Sequence, residues 1–141
     1  MRTCLDSWAV LAWLDGEEPA FTRVEKVLAD RPVISWVNAV EVYYRVERDH
    51  GRSEADHVLS ELRQVLEFEL PGVVRMVETA RLKAQLPIAP ADCFAIATAA
   101  ARGSALLSGD PEILDRDDIP CPTEDLRSPT SSSGKARHRR S

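Results

Sequence analysis

Only three cysteines occur in the 141 residues, Cys4, Cys93 and Cys121, an odd number with no C-x-x-C spacing. That pattern suggests neither a disulfide framework nor a zinc knuckle, and the three read as reduced, core-filling side chains. Histidine is equally sparse: His50, His57 and His138 are scattered with no H-x-x-x-H pair, which argues against a structural zinc site. No apolar run approaches the roughly 20 residues of a membrane span. The opening stretch "MRTCLDSWAVLAWLDGEE" is too short and too interrupted by acids for a signal peptide, so the reading is a cytoplasmic protein without membrane contact. Basic residues are also in deficit. Residues 128–141, "SPTSSSGKARHRRS", hold four of the 18 Lys and Arg and no acid, leaving 14 basic against 23 acidic residues, or -9, in the body. A body this acidic is no simple electrostatic nucleic-acid binder, and any polyanion it handles needs a cation.

What remains is an ordinary globular composition, 44% apolar and 29% charged, long enough for one compact core. Short apolar runs, 2–5, 32–35, 65–70 and 104–108, alternate with stretches of helical period. "IPCP", 119–122, adds a weak edge strand. Helices are expected over about 7–14 with Ser7 as N-cap, 20–30, 37–50 stopped by Gly51, a stretch from a capping signature at Ser53–Asp56, 73–86, and a helix from Pro90 stopped by Gly103. A short helix follows Asp110. With no hairpin signals, this order indicates an α/β fold with a short, mostly parallel central sheet and helices on both faces. The domain is placed at 1–127. The Ser-rich, basic tail, 128–141, is compositionally disordered.

In open parallel sheets ligands sit beyond the carboxyl ends of the strands, so acids that directly follow strands are the first to inspect. Asp6 and Asp110 both do, and each is also placed to be a helix N-cap. They lie at one edge only if strands 1 and 4 are neighbours. Asp92 heads an apolar helical stripe, Ala95, Ile96 and Ala99, and so points into the protein. Glu41 belongs to a narrow polar stripe with Asn38, Arg45 and Arg48. That stripe reads as a solvated face with a Glu41–Arg45 pair, or as an acid at a cleft with arginines to hold phosphate. Two unit charges 4 Å apart repel by about 4 kcal/mol at an effective dielectric near 20, so four converging carboxylates would require a cation. Oxygen ligands alone suit Mg²⁺ or Mn²⁺ rather than Zn²⁺. Such a site lowers the pKa of water and stabilises the charge that develops in phosphodiester hydrolysis.

Four blocks, "LDSWAVLAWL", "ISWVNAVEVYYR", "APADCFAIATAAARG" and "ALLSGDPEI", in this order and spacing over residues 1 to about 126, resemble the PIN-domain ribonucleases, most closely the VapC-type toxins of bacterial toxin-antitoxin pairs. The resemblance implies a three-layer α/β/α fold and Mg²⁺- or Mn²⁺-dependent endonucleolytic cleavage of RNA. It assigns Asp6, Glu41, Asp92 and Asp110 as the acidic quartet that holds the metal and orients water. Ser108 would hydrogen-bond an acid or water, and Ser7 matches the hydroxyl residue after the first acid. Asn38 and Arg45 are further positioning candidates. A homodimer and a VapB-type antitoxin that inserts a segment into the groove are also implied. Trp8 departs from the small residue of many relatives. It reads as a core side chain, with base stacking as the alternative, and Glu112 reads as a first-turn helix acid, with an auxiliary ligand through water as the alternative. Two competing functions stay open: a catalytically silent PIN-fold interaction module, and a phosphatase with Asp6 as nucleophile, against which stands Trp8 in the second acid position.

Overall fold

The computed structural model describes residues 2–128, so apart from Ser128 the basic tail lies outside the described residues. Five short strands, β1 (Thr3–Leu5), β2 (Val33–Ser35), β3 (Glu67–Glu69), β4 (Ala105–Ser108) and β5 (Thr123–Asp125), form one sheet in the order β3-β2-β1-β4-β5. All four pairings are parallel. The last strand is a correction to the sequence reading. The edge pairing begins at Thr123 rather than within "IPCP", because Pro120 and Pro122 have no N–H to give a ladder, whereas Thr123 pairs with Leu106.

Side-chain alternation divides the core into two. Leu5, Ile34 and Leu107 face a layer built from α1 (Ser7–Leu14), α2 (Ala20–Val27), α3 (Trp36–His50) and α4 (Arg52–Val65). Cys4 and Leu106 face the opposite layer, where Leu82 of α5 (Val73–Gln85), Ile96 of α6 (Pro90–Ala101) and Ile113 of α7 (Pro111–Leu114) pack. This is the three-layer arrangement that alternating strands and helices require. Cys4 and Cys93 are fully buried free thiols, in keeping with their reading as core filler.

Several helix ends follow the sequence signals and two do not. Gly51 and Gly103, at φ 93 and 61, take the left-handed backbone that closes α3 and α6. The Ser53–Asp56 capping signature goes unused, since α4 begins at Arg52 directly after Gly51, and Ser53 lies inside its first turn. The N-cap of α1 is Asp6 rather than Ser7, because the Asp6 carboxylate accepts the Ala9 N–H.

The direction of chain travel changes at β1. From β1 it proceeds through β2 to β3 with α1–α4 on one face. It then returns across the sheet through α5 and α6 to β4, on the other side of β1. The β1/β4 pair is therefore the point where a crevice opens beyond the carboxyl ends of the strands.

Candidate metal centre

The parallel register sets Leu5 opposite Leu107, so the residues that follow, Asp6 and Ser108, emerge side by side. The Ser108 hydroxyl donates to Asp6 Oδ2, while the Ala9 N–H donates to Asp6 Oδ1 at 2.9 Å. Ser108 Oγ in turn accepts the Asp110 N–H at 2.9 Å. One hydroxyl thereby links the acids that end two neighbouring strands. Asp110 accepts the Glu112 N–H at 2.9 Å and caps α7. Capping and site placement are two uses of the same carboxylates.

Asp92 enters from the other layer. Pro90 at the start of α6 fits the helix N-terminus, and Ala95, Ile96 and Ala99 are fully buried, so their stripe seats the helix closely under the sheet. The first turn is held from α3: Asn38, fully buried, donates its Nδ2 to the Ala91 carbonyl at 3.1 Å. Among the described residues, Asn38 Oδ1 has no hydrogen-bond partner. The buried face of α3 is Asn38, Ala39, Val42 and Val46, while Val40 and Tyr44 are exposed. The polar stripe of α3 therefore turns inward at its start and is not a uniformly solvated face. Further along it, Glu41 accepts a hydrogen bond from Ser7 Oγ at 2.9 Å and pairs with Arg45 at 3.5 Å.

A cavity of about 380 Å³ brings these groups together, with Ser7, Trp8, Glu41, Arg45, Asp92 and Asp110 in its wall. Asp15, Glu17 and Glu112 complete the acidic lining. Asp6 and Ser108 stand directly behind, both essentially without solvent exposure, and Asn38 lies behind the wall as well. Asp15 and Glu17 were not singled out in the sequence, because an acidic pair before a proline reads as an ordinary loop. Gly109 also went unnoticed there. A Cβ on it would lie 2.2–2.4 Å from three carbons of the Trp8 indole, so the ring rests on the bare backbone between Ser108 and Asp110. Trp8 packs against the core as well and is only partly buried.

Burial dominates the electrostatics. It pushes Asp6 up to about 7, against the stabilising hydrogen bonds from Ser108 and Ala9. Asp92 is raised well above the carboxylate range, first by burial and then by the charge of Asp110. Asp110 is raised by burial and the Glu112 charge, and its carboxyl group interacts with that of Asp92. Two carboxyl groups that interact in this way share a proton unless a cation replaces it. Among the described residues, no group of three or more His, Cys, Asp or Glu side chains forms a ready-made metal cage. The donor set still fits a hard divalent ion: it is all oxygen, it carries excess negative charge, and Mg²⁺ commonly takes one or two carboxylates and keeps several waters.

A parallel α/β sheet with buried carboxylates at its switch point defines the class of acid-site domains to which the chain conforms. The PIN domain family model matches residues 3–119, and the chain belongs to that family. Solved structures share its fold. A DNA-bound VapBC from Salmonella typhimurium is similar with a TM-score of 0.73 at 19% identity, covering 90% of this chain and 99% of that one. VapBC2 from Rickettsia felis, bound to a DNA fragment from its promoter, gives 0.72 at 18% identity, covering 90% and 100%. VapBC-1 from nontypeable Haemophilus influenzae gives 0.67 at 17%, covering 89% and 98%. No curated protein matches the sequence.

Proposed function

We propose that the chain is the toxin of a type II toxin-antitoxin pair, a cytoplasmic endoribonuclease that depends on Mg²⁺ or Mn²⁺. The observation that carries this reading is the convergence of Asp92, Asp110 and Glu41 on one acidic cavity, with Asp6 buried behind it. Asp92 and Asp110 would hold the ion most directly. Glu41 would reach it from across the cavity, and Asp6 would add its charge from beneath. When bound, the ion supplies charge neutralisation for the phosphodiester and lowers the pKa of a water. The protein's own groups do the rest. Ser108 orients Asp6 and Asp110, Ser7 orients Glu41, and Asn38 fixes the turn that carries Asp92. Arg45, half-exposed at the cavity and paired with Glu41, would meet a phosphate oxygen.

Two partners follow from the same reading. The cavity continues past Leu11, Asp15 and Arg45 into a groove with Leu14, Val46 and Val58, which supports an antitoxin segment lying along it. The fold shared with VapBC complexes supports the same partner. Val40 and Tyr44 on α3, with Leu70, Val73 and Val74 around the start of α5, are exposed apolar residues that support a homodimer.

Purified protein is expected to cut single-stranded RNA with Mg²⁺ or Mn²⁺ and to stop in EDTA. Asp92→Asn and Asp110→Asn should lose that activity while staying folded. The lack of a ready-made cage among the described residues is the observation that favours a silent interaction module. Equal cleavage by wild type and both variants, or none by wild type with either ion, would sink the nuclease reading.

A further inference from the structure

The cavity wall poses a recognition problem. Among the described residues, Asp15, Glu17, Glu41, Asp92, Asp110 and Glu112 face a single cation, Arg45, so ion pairs from this wall cannot supply most of the hold on a polyanionic strand. Trp8 is the one aromatic side chain in that wall among the described residues. Its position is fixed from behind. It packs against the sheet-side core, and its six-membered ring lies on the Gly109 backbone, where even a methyl group would collide. The indole is therefore held next to Asp110 and remains partly exposed at the cavity. A rigid aromatic side chain partly exposed at the cavity offers sequence-tolerant affinity for a base without adding charge.

We propose that Trp8 is a substrate-binding residue, the platform on which one nucleobase of the RNA stacks beside the acid site. This rests on the ribonuclease reading and deepens it. Stacking on Trp8 compensates for the scarcity of basic residues and sets which nucleotide lies next to the carboxylates. A tryptophan serving only as core filler would leave RNA affinity unchanged when replaced by another apolar residue of sufficient size.

The test is a binding cycle in the Asp92→Asn background with Mn²⁺, read by anisotropy of a labelled single-stranded oligoribonucleotide. Its arms are Trp8, Trp8→Phe and Trp8→Leu, each against the intact oligonucleotide and a series with one abasic position. Trp8→Leu should weaken binding about fivefold or more, while Trp8→Phe keeps most of the affinity. One abasic position should weaken binding to Trp8 and cost the Trp8→Leu protein much less. Thermal melts show whether Trp8→Leu is folded, and if it is not, the Phe arm and the abasic series on Trp8 carry the test. The proposal is overturned by equal affinities of folded Leu and Trp proteins, or by an abasic series that is flat on Trp8. Wild-type cleavage of the same RNA is measured alongside. Cleavage without coupling to Trp8 defeats the stacking proposal alone, and absence of cleavage and binding defeats both.

Discussion

Ser108 and Asp6 are bonded across the β1–β4 pair, and the same serine hydroxyl accepts the Asp110 N–H, so one side chain sets two acids of the site. Its removal leaves a fully buried carboxylate with one donor fewer. Ser108→Ala is expected to cost about 1.5–3 kcal/mol of stability, the range for a hydrogen bond to a charged group. The loss should shrink as pH falls below about 7 and Asp6 becomes neutral. Urea titrations at two pH values check both statements.

The metal-free protein should weaken as pH rises. Asp6 is raised from 3.8 to about 7, and Asp92 and Asp110 are raised as well, so the folded state holds protons that the unfolded state has already released. The sign follows: stability is fullest at the acid end of that window and is lost as pH climbs through about 7. Melting temperatures in EDTA should therefore fall across this range. Saturating Mg²⁺ should flatten the fall, because the ion takes the place of the protons.

Asn38 ties the helix of Glu41 to the helix of Asp92 through the Ala91 carbonyl. Asn38→Ala leaves that carbonyl without its side-chain donor and should cost about 1–3 kcal/mol. It should also weaken Mn²⁺ binding, because the first turn of α6 loses its tether. Asn38 does not line the cavity, so the RNA sequence that is cut should stay the same, as end-mapping of the products would show.

Gly109→Ala sets a methyl group 2.2 Å from the Trp8 ring. Overpacking of this kind costs about 1–3 kcal/mol. A second change, Trp8→Ser, should recover part of that loss because it empties the colliding space. Denaturant midpoints of the single and double variants decide this. Additive losses would show that the two residues do not compete for space.

Much of this was legible in the sequence because β1 and β4 are apolar runs that end in acids, and parallel pairing then places those ends together. Asp92 was legible because its own helical face is apolar. The inward turn of Asn38 was not, since an asparagine at helical spacing with Glu41 and Arg45 looks like part of a solvated stripe. Only the approach of α6 shows what its amide serves. Trp8 reads in the sequence as a core side chain with base stacking as the alternative; it packs against the core and also lines the cavity, because Gly109 lets an indole lie where the site begins. The β5 boundary escaped for a local reason: Ile119 and Cys121 look strand-like, but Pro120 and Pro122 cannot donate to a ladder.

The central claim is that these carboxylates share a divalent cation, and calorimetric titration of Mn²⁺ into the metal-free protein tests it most directly. Saturable binding is expected in wild type, with release of protons at pH values below about 7, and at least tenfold weaker binding in Asp92→Asn and Asp110→Asn. Equal Mn²⁺ binding by all three proteins, or none by folded wild type, would contradict it.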